Sequence, residues 1–308
     1  MVNMKKNKKM QAIWKARYIY ILLAAYFVWL LIFHYGPMYG LLLAFKKYNA
    51  KLGIWGSEWV GLDNLKRIFV TPIAMKAIWN TLTISVRRII FQFPFPIILA
   101  ILITEMRGRR LKKVYQTIFT FPHFLSWVVV GAILTNFLSG SGTINMALAN
   151  MGFEKINFLG NSKIFTSLLF VTANWKGMGW SAIVYMAAIA GIDPTLYDAA
   201  RVDGASRWQQ IWHITLAGIR ATIAIMLILD IGGIMNAGFD QIFNMRNDVV
   251  NSSVTILDTY VYDITFGAVP NYGFSTAVGL FKSVIDFILL ILANQISGRL
   301  SKGEHKLI

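Results

Sequence analysis

From residue 18 to 45 the chain carries no aspartate, glutamate, lysine or arginine before Phe45, and His34 is the only ionisable imidazole in the run. Its first part, YIYILLAAYFVWLLIF, approaches the ~20 apolar residues needed to cross a hydrocarbon core. Stretches 78–104, 117–138, 164–190, 218–238 and 274–296 have the same character, so six spans are expected. A bilayer interior admits helices or closed barrels, and these segments are too long and too continuously apolar for barrel strands. The expected fold is therefore all-α: one six-helix transmembrane domain over 18–298, between a basic N-terminal tail (1–17) and a C-terminal tail (299–308). Hydrophobic residues make up 56% of the chain and charged ones 14%, against about a quarter charged in an ordinary soluble domain. A water-soluble globule is excluded.

The placement of charge sets the orientation. Lys and Arg number six in the N-tail, five in 105–116, three in 191–220 and three in the C-tail, seventeen in all. The alternate loops hold six in 46–77, two in 139–163 and one in 239–273, nine in all. By the positive-inside rule both termini face the cytoplasm. Lys5, Lys6, Lys8 and Lys9 precede the first span as they would in a signal peptide. That span is too long and lacks a small-residue cleavage site, so it is expected to stay. The net charge of +16 is read as membrane topology and not as a nucleic-acid surface.

Pro94 and Pro96 are expected to kink or break the second span, and Pro122 the start of the third. With no cysteine, and with His34, His123, His213 and His305 at no ligand spacing, no metal site is expected. No nucleophile and base sit together in the spans either, so no catalytic residue is assigned.

The most informative segment, DPTLYDAARVDGASRWQQIWHITLA (193–217), lies on the cytoplasmic side between the fourth and fifth spans. Asp193 and Pro194 are the N-cap and first residue of a helix. Gly204 interrupts it, and Ser206 with Gln209 has the spacing of a capping box, so a second helix starts there. Each piece has an apolar stripe: Leu196, Ala199 and Ala200 on the first, Trp208, Ile211 and Trp212 on the second. Two readings fit: a helix pair resting on lipid headgroups, or a pair docked in a groove of a cytosolic protein, with Arg201 and Asp203 fixing the register.

The order Asp198-Ala199-Ala200, three residues, Gly204, nine residues, Ile214-x-Leu216 resembles the EAA loop of the membrane subunits of bacterial ABC importers. Chance occurrence in a chain of this length is on the order of one in ten thousand by average residue usage. Asp198 stands where that pattern has Glu and keeps the carboxylate. Ala217 stands where it has Pro, so a less sharply bent start to the fifth span is expected. HYGPMYGLLLAFKKY (34–48), Trp79-Asn80-Thr81-Leu82, GFDQIFNM (238–245), ILDTYVYD (256–263) and FSTAVGLFKSVIDFILLILANQIS (274–297) are similar to the branch that imports complex oligosaccharides.

The resemblance implies the type I importer permease fold and a place in the bacterial cell membrane. It also implies a heterodimer with a second homologous permease, two cytosolic ATPase subunits and an extracytoplasmic solute-binding protein that delivers the sugar. Its coupling loop falls on Asp198, Ala199, Ala200, Arg201, Asp203, Gly204, Ala205 and Ser206. The chain has no Walker-A glycine loop, so ATP and Mg belong to the partner subunits and this chain binds no cofactor.

Charges inside spans face partners or water-filled cavities. They are Arg87, Arg88, Lys176, Asp230, Lys282 and Asp286. Lys282 and Asp286 stand four apart and are expected to pair on one helix face. Trp175, Lys176, Asp230, Asn236, Lys282 and Asp286 are candidates to line a sugar path, with ion pairing between helices as the competing role. Asp230 and Asp286 would also suit an ion-coupled secondary transporter, although that class commonly shows internal repeats and none is found here. The external segment 239–273 holds Asp240, Asp248, Asp258 and Asp263 against Arg246, a candidate rim for a binding protein.

Overall fold

A computed structural model describes residues 14–300, with side chains through residue 295; most of the basic N-tail and nearly all of the C-tail lie outside the described residues. The fold is helical throughout, apart from one two-residue hairpin pairing in which Lys46 faces Trp59 and Lys47 faces Glu58.

Helix α1 occupies Arg17–Phe45, passing through a π turn at Leu31–Tyr35 and a 3-10 stretch at Gly36–Phe45. α2 is Asp63–Val70. α3 (Pro72–Gln92) and α4 (Pro94–Glu105) form one rod of 34 residues, broken at Phe93 where Pro94 supplies no N–H. α5 is Arg109–Thr120, α6 Trp127–Leu138 and α7 Thr143–Asn150. α8, Ser162–Ala190, is 29 residues long. α9 is Pro194–Val202, α10 Arg207–Gly218 and α11 Arg220–Gly232. α12 (Phe239–Met245), α13 (Leu257–Phe266) and α14 (Tyr272–Leu300) complete the chain.

Among the described residues four helical stretches are long and apolar enough to cross a membrane: Arg17–Phe45, Pro72–Glu105, Trp127–Asn150 and Tyr272–Gln295. The bent pair α10–α11 adds a fifth only where its two helices are taken together as one span. α8 has the length, ~44 Å at 1.5 Å per residue, but carries Lys163 and Lys176.

The third apolar stretch departs from expectation. Residues 117–120 are the last turn of α5, whose first half, RRLKK, is basic. A 3-10 turn at Phe121–Phe124 follows, built around Pro122, and Leu125 and Ser126 are extended. The apolar helix starts only at Trp127, where the Ser126 hydroxyl accepts the Val129 N–H. The fifth stretch also stops early. α11 ends at Gly232, and the chain unwinds to Gly238, which is left-handed at φ 86°. Although residue 217 is Ala, α10 and α11 meet at 59°, through a π turn at Ile211–Thr215 and a non-helical Ile219.

α8 is the axis of the bundle. Its Phe165 and Leu169 pack with Ile84, Ile242 and Ile256, while Ala182 and Tyr185 pack with Leu99, Ile103 and Ile219. A third cluster joins α2, α3, α13 and α14 through Ile68, Ile78, Leu257 and Phe274. Polar contacts fix the segment 252–257 on α3. Asn80 donates to the carbonyls of Ser252 and Thr255, and the Thr81 hydroxyl accepts the Leu257 N–H at 2.8 Å.

Candidate functional site

The segment 193–217 folds as its punctuation dictates. The Asp193 carboxylate accepts the Thr195 N–H at 2.9 Å, which holds its pKa below the usual carboxylate value. α9 closes in a Schellman motif: the Ala205 N–H reaches the Ala200 carbonyl at 2.8 Å and the Gly204 N–H reaches that of Arg201 at 3.2 Å. This closure needs a left-handed residue, and Gly204 has φ 75°. The capping box then forms on both sides, with Ser206 accepting from Gln209 N–H and the Gln209 side chain accepting from Ser206 N–H.

Two contacts brace the bent pair and one ties it to the bundle. The Tyr197 hydroxyl meets the Thr215 hydroxyl at 2.9 Å, tying α9 to α10. Arg207 pairs with Glu105 at the end of α4, 3.3 Å away, and the Gln210 amide donates to the Ala205 carbonyl. Asp198 and Arg201 pair along α9. Among the outward residues are large apolar ones: Val202 is 87% exposed and Trp208 71%. Together with Leu196 and Trp212, also exposed, they form an apolar surface on the helix pair that the chain itself does not cover.

A second feature lies inside the bundle. A cavity of about 410 Å³ between α3, α8 and α11 is lined by Ser85, Arg88, Gln92, Asn174, Tyr185, Asp230 and Asn236 among others. A more open one of about 830 Å³ lies on the other side of α3 and α8, with Trp79, Arg87, Phe91, Phe95, Lys163 and Phe170 in its wall. Asn174 borders both.

The six residues proposed from sequence for a sugar path do not gather in one place. Asp230 and Asn236 line the inner cavity. Lys282 does not pair with Asp286: its ammonium bonds both carboxylate oxygens of Asp258, at 2.7 and 2.8 Å, and the Asn236 side-chain carbonyl at 2.6 Å. Asp286 instead accepts the Met235 N–H at 3.1 Å, satisfying backbone freed where α11 unwinds. Lys176 donates to the His123 carbonyl at 2.8 Å and sits over the Trp127 ring, bracing the turn before α6. Neither Lys176 nor Trp175 lines either cavity.

The residue that sequence reasoning undervalued is Arg88. It donates to Gln241, whose own amide donates to the Leu169 carbonyl and the Thr172 hydroxyl, each at 2.8 Å. Its guanidinium also lies over Gly238, where a Cβ would collide with it. The signal available in sequence was the charge itself, in mid-span, with no acid at helical spacing. The acidic segment 239–273 is half spent, since Asp258 holds Lys282 and Asp263 holds Arg246 through two bonds of 2.7 Å. That grip raises the pKa of Arg246.

Comparison with known proteins gives the same picture. Residues 92–302 match the family of binding-protein-dependent transport system inner membrane components. The protein LplB of Bacillus subtilis is 43% identical over 94% of this chain and 91% of its own length. The polygalacturonan/rhamnogalacturonan transport system permease YteP of the same organism is 40% identical over 95% of this chain and 92% of its own. The crystal structure of a bacterial ABC transporter involved in the import of the acidic polysaccharide alginate is similar at TM-score 0.87 and 36% identity, covering 95% of this chain and 99% of that one. A second, of the alginate transporter with an alginate pentasaccharide-bound periplasmic protein, aligns at TM-score 0.87 and 35% identity over 96% and 99% of the two chains. With a family match over more than half its length, relatives at this identity and several membrane-crossing helices, the chain belongs to the inner membrane components of binding-protein-dependent transport systems.

Proposed function

We propose that the chain is a permease subunit of an ATP-driven importer that takes up an oligosaccharide handed over by an extracytoplasmic binding protein. The observation that carries this reading is the helix pair at 194–218, closed at Gly204, braced by Tyr197, fixed to the bundle by Arg207, and carrying exposed apolar residues on its free side. A rigid, partly apolar handle fits a groove in a separate ATPase better than it fits headgroups, because its closing contacts fix the bend. ATP and Mg reside on that ATPase, two copies of which serve this chain and a second, homologous permease. α1 buries none of residues 17–30 within its own chain, which leaves an apolar face for lipid or for that second permease.

In this reading α8 crosses as the fourth of six spans over 18–298, and the N-tail (1–17), the 193–217 loop and the C-tail (299–308) are cytoplasmic. The cargo of two relatives, polygalacturonan or rhamnogalacturonan for one and alginate for the other, supports an acidic saccharide here. The loop works as a lever only if its contacts to the ATPase differ between the inward-facing and outward-facing states.

The chain has no cysteine, so single cysteines placed at Ala205 or Ser206 report without background. Cross-linking to the ATPase subunit, with uptake that vanadate abolishes and ionophores do not, is the expected result. Uptake by the permeases alone, or labelling of residue 205 from outside the cell, sinks the reading.

A further inference from the structure

Within the described part of the chain four buried side-chain polar atoms have no hydrogen-bond partner: Ser85 Oγ, Arg88 Nε, Thr120 Oγ1 and Asn174 Oδ1. Three of the four, on Ser85, Arg88 and Asn174, belong to residues that line the same 410 Å³ cavity. Buried polar groups are normally satisfied, and each exception calls for an occupant or a cause. The atoms themselves have almost no accessible surface, so what faces the cavity is the rest of these polar residues, gathered with Asp230 and Asn236 around one space.

The chemistry of that ligand follows from the charge. Arg88 makes no ion pair among the described residues, and its fixed partner is the neutral amide of Gln241. A cation held this way inside a membrane domain has no ion-pair partner in contact, although Asp230 lines the same cavity. The other span cations are differently placed: Lys282 has Asp258, Lys176 has a carbonyl and an indole ring, and Arg87 is exposed on the wall of the more open cavity. Gln241 cannot swing away, because its own N–H groups are committed to α8. The guanidinium is thus held in place at the cavity wall, and planar guanidinium is the group best matched to a carboxylate. Ser85 and Asn174 line the same cavity, the Ser85 hydroxyl able to donate, while the carbonyl of Asn174 and the carboxylate of Asp230 are acceptors for sugar hydroxyls. The volume falls within the ~300–1,000 Å³ range of small-ligand sites.

We propose that Arg88, held by Gln241 and flanked by Ser85 and Asn174, is the carboxylate-recognition point for a uronate unit of the saccharide in transit, and so the residue that selects acidic over neutral cargo. This rests on the transport reading above and assigns it a specificity site.

The test uses the complete transporter with its binding protein in right-side-out vesicles. Two probes are compared: a pool of short galacturonate and alginate oligomers, and the same pool with its carboxyl groups reduced to neutral alcohols. The wild type is expected to take up the acidic pool. In Arg88→Gln, uptake of that pool per ATP hydrolysed falls about tenfold or more, as loss of a charge-assisted bond requires. Arg88→Lys, which keeps the charge and loses the fork, falls less. Asn174→Leu, which spares the Arg88–Gln241 contact, also lowers acidic uptake and serves if the Arg88 variants fail to assemble. Equal uptake per ATP in wild type, Arg88→Gln and Asn174→Leu overturns the site, as does a wild type that imports only the reduced pool. A wild type that imports neither pool overturns the transport reading itself.

Discussion

Lys282 is bonded to Asp258, on a different helix, and not to Asp286, one turn along its own. The pair bridges α13 and α14 at side-chain exposures of 15% and 25%. Removing one partner strands a half-buried charge.

Asp258→Asn and Lys282→Met should each lower stability by about 2 kcal/mol, a figure discounted from fully buried pairs for the residual solvent. The double variant should lose less than the sum of the two. Thermal unfolding of the detergent-purified transporter measures this; strict additivity would show that the contact contributes nothing.

Gly204 has open space where a Cβ would stand, so substitution there costs backbone conformation and not collision. Gly204→Val should lower uptake per ATP hydrolysed, with a local penalty of about 1–2 kcal/mol for a left-handed β-branched residue. Gly204→Asn, which tolerates that conformation, should lie near wild type. If both variants transport alike, the bend does not transmit.

Gly179 and Gly177 make a matched pair. A Cβ on Gly179 would fall on the Phe119 carbonyl, backbone against backbone, whereas one on Gly177 meets nothing within 4 Å. Gly179→Leu should therefore abolish assembly, read as yield of folded transporter by size exclusion, and Gly177→Ala should be tolerated.

Asp193 caps α9 and has a lowered pKa through its bonds to Thr195. A carboxylate whose folded pKa is lowered adds stability above its unfolded value, ~3.9, and loses it as pH falls through the folded value. Hydrogen-exchange protection of the first turn of α9 should weaken as pH drops below ~3.9. In Asp193→Asn that pH dependence should vanish while the cap persists.

Local punctuation was legible in the sequence: Asp193-Pro194, Gly204 and Ser206 with Gln209 each act within a few residues, and each took the predicted geometry. Contacts set by the fold were not. The partner of Arg88 is 153 residues away and that of Lys282 is 24 residues away, so helical spacing offered Asp286 instead. The start of the third apolar stretch was misplaced because residues 117–120 are apolar enough to read as span yet finish a basic amphipathic helix. Trp175 and Lys176 share a helix with Asn174 but not its face, and one-residue steps on a helix turn a side chain by about 100°.

The 59° angle between Arg207–Gly218 and Arg220–Gly232 governs how motion changes direction at Ile219. A displacement along the first helix arrives at the second mostly as a sideways component, with the smaller part along its axis. A tug on the helix pair at 194–218 would therefore swing α11 across the bundle more than slide it through, and the wall that swings is the one carrying Asp230.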